Sequence, residues 1–309
     1  MLSTRNLKAV ATALLAALGS AVMLAVPAQA ALPVKVQRDI AYGEGAVTRP
    51  GAGKARLLMD LYRPAGSSRS RRPFAVVIHG GGFVMGSKSD DGVVRTARAL
   101  AARGVVAASI DYRLEGQGPV PSARARRLAE AMKGQGLGPA YPEPDAVASA
   151  TEDAITAIAY MRGRAKALRV RTSRFGLVGS SAGAVIADNV GYVAGNYGLR
   201  APRPRFVASL WGGLIIPAPG SKDPAENIRR GDPALFLVHG DADKTVPVRL
   251  SDEMYARARA RKVPAEYYRT AGAGHGWPGS RIFRDRTRAG ETIFDRMIDF
   301  AAGRLRQAP

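Results

Sequence analysis

The chain has 309 residues, a formal net charge of +21 at pH 7, 46% hydrophobic and 23% charged residues, three histidines and no cysteine. A thiol nucleophile and thiolate metal sites are therefore excluded, and three histidines scattered singly do not make a histidine-rich zinc site. The length suffices for one large core without disulfide staples, and the positive charge sits on dispersed arginines such as Arg69-Ser70-Arg71-Arg72 and Arg124-Ala125-Arg126-Arg127. No basic face interleaved with aromatics is visible, so nucleic acid is not an expected partner. Weak attraction to anionic envelope polymers is expected of a cationic protein outside the cell.

The N-terminus has the three parts of a secretory signal: Arg5 and Lys8, an apolar stretch over 9–26, then Ala28-Gln29-Ala30 with small residues where a signal peptidase reads. Cleavage near Ala30 is expected, giving a signal peptide over 1–30, one catalytic domain over 31–309 and a secreted product, extracellular or periplasmic. A retained signal anchor is the alternative, because the apolar stretch is long enough to span a bilayer.

From there, short apolar and β-branched runs alternate with helical periodicity, the pattern of strand, crossover helix and parallel strand. Strands are expected over 34–41, 56–62, 74–79, 105–111, 174–179, 206–211, 234–239 and 265–269. The inner ones are continuous apolar runs, as strands covered on both faces by helices should be. Helices are expected over 92–103, 146–168, 182–197, 248–261 and 287–304, with Gly104 as a stop after the first and Pro247 before the fourth. The Gly/Pro-rich stretch over 115–144 reads as a small lid or pocket wall with a possible short helix over 123–133, inserted near the carboxyl ends of the strands where open α/β sheets bind ligands.

Four segments carry chemistry. Gly179-Ser180-Ser181-Ala182-Gly183 is a G-x-S-x-G pentapeptide between an expected strand and helix, which selects Ser181 as nucleophile. Gly179 and Gly183 allow the close approach that such a turn demands. His79-Gly80-Gly81-Gly82-Phe83 follows a strand, and its glycines leave backbone N–H groups free to face a developing oxyanion, while His79 is expected to order the loop. His239-Gly240-Asp241-Ala242-Asp243 offers two carboxylates. Asp243 lies farther out in the loop and is expected to orient the base, with Asp241 left to an Asx-type turn. His275, in Ala271-Gly272-Ala273-Gly274-His275-Gly276-Trp277, is the expected general base. Phe83 and Trp277 are expected to bind substrate, with ordinary loop packing as the competing role for Trp277.

Together with Asp111-Tyr112-Arg113-Leu114, these segments resemble the α/β-hydrolase superfamily, and within it the secreted esterase and lipase branch with an HGGG loop, such as carboxylesterases and feruloyl or acetylxylan esterase-like proteins. In many such proteins Tyr-Arg-Leu runs on into Ala-Pro-Glu, whereas here Leu114 is followed by Glu115-Gly116-Gln117. The resemblance implies an α/β-hydrolase fold: an about eight-stranded, mostly parallel sheet with helices on both faces, in a single domain with a small lid-like insertion. It also implies oxyanion donors at Gly81, Gly82 and Ala182. The activity expected is hydrolysis of short-chain carboxylic esters through a Ser181–His275–Asp243 triad, on small-molecule or polysaccharide-linked esters, without metal or other cofactor. The alternatives are an amide or peptide hydrolase with the same triad, or a non-catalytic envelope-binding protein on the same scaffold.

Overall fold

The expected strand and helix alternation builds one eight-stranded sheet, seen here in a computed structural model that describes residues 32–66, 70–133, 142–276 and 281–307. The signal-peptide and cleavage expectations for 1–30, Trp277 and the 134–141 part of the insertion lie outside the described residues. The strands are β1 (Val34–Val47), β2 (Gly53–Pro64), β3 (Arg72–Ile78), β4 (Val106–Ile110), β5 (Val170–Ser180), β6 (Phe206–Leu210), β7 (Ala234–Gly240) and β8 (Ala265–Thr270). Their order is β1-β2-β4-β3-β5-β6-β7-β8. β1 pairs antiparallel with β2 and β2 with β4, and every later pairing is parallel.

Period-two alternation divides the core between the two faces of this sheet. In β3, Phe74, Val76 and Ile78 enter one apolar cluster, and Ala75 and Val77 enter the other. β7 divides in the same way, with Leu235 and Leu237 on one side and Phe236 and Val238 on the other. The first face is covered by α2 (Arg126–Lys133), α3 (Pro144–Gly163), α5 (Ala182–Asp188) and α6 (Arg249–Ala260); the second by α1 (Asp91–Ala102) and α7 (Ile293–Arg306). Both faces are thus buried, which is why the inner strands are apolar without a polar alternate.

Several boundaries differ from expectation, each for a local reason. β1 continues past 41 to Val47 because Glu44, Gly45 and Ala46 pair with Arg56, Ala55 and Lys54 across two register shifts. The helix expected over 146–168 breaks at Arg164 into α3 and a single turn, α4 (Ala165–Leu168). The helix expected over 182–197 is α-helical only to Asp188, then widens into a π-helical turn (Asn189–Val193) and tightens into a 3-10 turn (Ala194–Tyr197). Gly191 in that turn lies against Val207 of β6, so close that a Cβ would displace it. The last helix starts late because Thr292 caps it, accepting from the Asp295 amide at 3.0 Å.

The described part of the 115–144 insertion is a 3-10 turn at Glu115–Gln117 followed by α2. Leu128, Ala129 and Met132 of α2 are fully buried or nearly so and join the first-face core. Arg113, 2% exposed, staples this region: its Nη1 donates to the carbonyls of Ala46 in β1 (3.0 Å) and Val120 in the insertion (2.9 Å). Its Nε and Nη2 meet Asp153 of α3 at 2.8–3.1 Å. Gly45 makes room for this guanidinium, which occupies the place a Cβ would take.

Candidate active site

All four chemical segments leave the carboxyl ends of parallel strands: the glycine loop after β3, Ser181 after β5, Asp243 after β7 and His275 after β8. In an open parallel sheet these ends converge on one rim, the place where such sheets bind ligands.

Ser181 occupies the turn between β5 and α5 with φ +53° and ψ −122°, a conformation that costs energy for any residue with a Cβ. The turn is possible because the backbones crowd. A Cβ on Gly179 would strike the Gly183 carbonyl, and a Cβ on Gly183 would strike the carbonyls of Ile78 and His79. The hydroxyl is thereby held out from the strand. Its Oγ lies 2.9 Å from Nε2 of His275, and Nδ1 of His275 lies 2.7 Å from Oδ2 of Asp243. A carboxylate can only accept, so Nδ1 carries the proton and Nε2 is left to accept from the serine hydroxyl. The Asp243 carboxyl is fully buried and the His275 side chain is 20% exposed, leaving one edge of the imidazole toward solvent.

Asp243 divides its two oxygens. While Oδ2 faces His275, Oδ1 accepts from the amides of Thr245 (2.8 Å) and Val246 (2.9 Å). The Asx-type turn expected at Asp241 is therefore made by Asp243 instead. Asp241 accepts from the Gly272 amide at 2.7 Å and pairs with Arg269 at 3.4 Å, tying the Asp243 loop to the His275 loop. Sequence reasoning assigned the two aspartates to the correct loop but could not see that one carboxylate performs both tasks.

The glycine loop approaches Ser181 through Gly80, where a Cβ would stand 3.2 Å from Cβ of Ser181. Gly81 and Gly82 have φ +104° and +63°. Among the described residues the amides of Gly81, Gly82 and Ala182 have no protein acceptor, which leaves them available to an oxygen from outside. His79 orders the loop as expected: Nδ1 donates to the Gly80 carbonyl at 2.7 Å and the ring stacks on Tyr112 at 4.2 Å. Burial lowers the His79 pKa, keeping the ring neutral. Phe83 does not face substrate space. It is 2% exposed and packs edge-on to Tyr112, because its positive φ turns it inward; the exposed apolar residues of this loop are Val84 (56%) and Met85 (65%). Trp277 lies outside the described residues.

Two supporting groups had no recognisable signal in the sequence. Lys88 resembles any surface lysine, yet its Nζ is set among Asp39 (2.9 Å), Asp60 (3.3 Å) and Asp111 (3.9 Å). Its amide donates to Asp111 at 2.6 Å, so the far end of the glycine loop is pinned to β2 and to the end of β4. Asp188, two turns along from Ser181, is fully buried with only Ser209 bonded to it, at 2.7 Å. Burial pushes its pKa up to about 8. No group of three or more His, Cys, Asp or Glu residues able to hold a metal occurs among the described residues, and no described helix is long and apolar enough to cross a membrane.

Residues 59–125, from within β2 to the residue before α2, match the BD-FAE family model. Over 76 residues the chain is 38% identical to the non-reducing polyketide synthase pkbA of Emericella nidulans, a match covering 25% of this chain and only 3% of that protein. Among solved structures, the native thermophilic esterase Est2 of Thermogutta terrifontis superposes with a TM-score of 0.62 at 21% identity, over 89% of this chain and 91% of that one. The same esterase phosphorylated by paraoxon gives 0.62 at 22% identity, over 87% and 91%. A truncated carbohydrate esterase from gut microbiota gives 0.60 at 17% identity, over 91% and 99%.

Proposed function

We propose that this chain, an α/β-hydrolase by fold, is a secreted serine carboxylic-ester hydrolase that cleaves short-chain acyl esters through an acyl-enzyme on Ser181. The observation that carries the proposal is the unbroken chain of hydrogen bonds from Ser181 Oγ to His275 (2.9 Å) and from His275 to Asp243 (2.7 Å). The esterase neighbours support the ester class, and the signal-like composition of residues 1–30 supports secretion.

In this reading Ser181 Oγ attacks the ester carbonyl as its proton passes to Nε2 of His275. Asp243 holds the tautomer and stabilises the imidazolium without taking the proton. Negative charge grows on the carbonyl oxygen, where the amides of Gly81, Gly82 and Ala182 receive it; one such donor contributes about 3–4 kcal/mol to lowering the barrier. The alcohol leaves with the proton from Nε2, and water activated by the same imidazole releases the acid. The described part of the insertion is tied to the glycine loop and to the core: the Glu115 amide donates to the Phe83 carbonyl at 2.8 Å, and α2 is held on α3 by its buried face. A small-molecule or polysaccharide-linked ester would supply the alcohol.

The test is hydrolysis of p-nitrophenyl acetate, butyrate, octanoate and palmitate at about pH 8, beside a Ser181→Ala variant. Activity falling with chain length and lost with Ser181 is the expected result. Paraoxon should add one diethylphosphoryl group to the wild type and none to the variant. Turnover that survives in Ser181→Ala, or a folded wild type inert to both reagents, would overturn the reading.

A further inference from the structure

At the amino ends of β3 and β4, the rim opposite Ser181, the structure holds a second concavity that the proposed hydrolysis does not use. A cavity of about 620 Å³ opens there between the start of β1, the end of β2 and the turn after α4. Among the described residues its charged lining consists of Lys35, Arg63, Arg72 and Arg169, with no carboxylate. Arg63 donates to the neutral Gln37 at 2.8 Å, and neither Lys35 nor Arg72 pairs with a carboxylate among the described residues.

The backbone holds this cluster together. The Arg72 amide donates to the Arg169 carbonyl at 2.8 Å, which sets the two main chains side by side at the cavity. Arg171 donates to the Arg71 carbonyl at 3.0 Å, placing two more guanidinium groups beside an adjoining cleft of about 350 Å³. Elsewhere cations of this chain meet carboxylates, as Arg113 meets Asp153 and Arg296 meets Glu266. Like charges gathered in a concave, partly apolar recess focus a positive potential and leave anions as the natural complement. Arginine forks match the oxygens of phosphate bidentately. Among the described residues no aromatic side chain lines the cavity, so they offer no stacking platform for a base.

We propose that this cavity is a binding site for a compact multivalent oxyanion of the oligophosphate class, held by Lys35, Arg63 and Arg72. The seven residues of β3 separate it from the glycine loop, roughly 23 Å at about 3.3 Å per residue, so occupancy and ester turnover are separable.

The experiment is calorimetric titration of the chain with tripolyphosphate in about 150 mM salt, where diffuse surface charge is largely screened. Saturable binding of one tripolyphosphate per chain is expected, weakened at least roughly tenfold in Arg63→Ala/Arg72→Ala. Arg259→Ala/Arg261→Ala removes the same charge from α6 and its end and should stay within roughly twofold of the wild type. Orthophosphate should bind at least roughly tenfold more weakly than tripolyphosphate, having fewer charges to share among the three cations. Gln37→Glu, which sets a carboxylate in the lining, should weaken binding even if the double alanine variant does not fold. Absence of saturable binding, equal weakening in the two double variants, or an unchanged affinity in Gln37→Glu would overturn the site. Because binding is read as heat, its failure is distinct from any failure of the esterase reading.

Discussion

His239 stands directly behind Asp243, its Nε2 3.3 Å from the same Oδ2 that faces His275. Nε2 also lies 3.0 Å from the Val246 carbonyl, which can only accept, so that nitrogen carries the proton. Nδ1 then accepts from the Ser251 hydroxyl at 2.7 Å, and burial lowers the ring's pKa, keeping it neutral. The carboxylate is thus held by an imidazole on each side and by two amides, in the one orientation useful to His275.

His239→Gln should therefore lower kcat by about tenfold with KM nearly unchanged, the loss of one hydrogen bond to a charged group. Asp243→Asn, which disturbs the tautomer itself, should cost about 10³–10⁴-fold. Steady-state kinetics on p-nitrophenyl acetate, with melting curves to verify folding, separate the two effects.

Gly81 and Gly82 should respond unequally to alanine. A Cβ on Gly81 would land on the Met85 carbonyl at φ +104°, whereas on Gly82 it would meet only Val84 Cγ2 at 3.8 Å, at φ +63°. Gly81→Ala should abolish turnover by displacing the loop. Gly82→Ala should retain measurable activity, paying only the left-handed backbone cost of roughly 1–2 kcal/mol. Equal loss in both variants would contradict this account of the loop.

Arg113→Ala should destabilise the fold by about 3–5 kcal/mol, because it leaves Asp153 charged and buried with most of its donors gone. The loss is measured by urea denaturation. The fraction still folded should keep a kcat near the wild-type value, since Arg113 is not among the groups that contact Ser181, His275 or Asp243.

Asp188→Asn should stabilise the protein increasingly as pH rises. The folded-state pKa is raised to about 8, above the unfolded value near 3.9, so the stability tied to its proton is complete below about pH 4 and lost as pH rises toward 8. An asparagine needs no proton. Its advantage should grow by up to about 1.4 kcal/mol per pH unit between about pH 5 and 8 and level off above, as read from denaturation at several pH values.

The sheet was legible because its inner strands are buried on both faces, and runs such as those in β3, β5 and β7 cannot be anything polar-faced. That Ser181, Asp243 and His275 meet was foreshadowed by the short turns in which each stands, whose glycines announce close backbone approach. What escaped were features decided across the chain. The end of β1 is set by pairing with β2, Gly191 of the π-helical turn lies against Val207, and Phe83, at positive φ, turns inward onto Tyr112. Lys88 and Asp188 depend on partners tens of residues away, and no local pattern encodes them.

The contact between Gly183 and the carbonyls of Ile78 and His79 sets main chain against main chain, with no side chain between the turn of Ser181 and the strand that carries the glycine loop. The spacing from Ser181 to the amides of the glycine loop is therefore fixed by peptide geometry and not by the fit of replaceable groups. Side chains at the mouth, Val84 and Met85 among them, can be exchanged for others without that spacing changing. The reaction and the choice of substrate thus rest on separate materials, and a new specificity can be written on this scaffold while the chemistry beneath it stays in register.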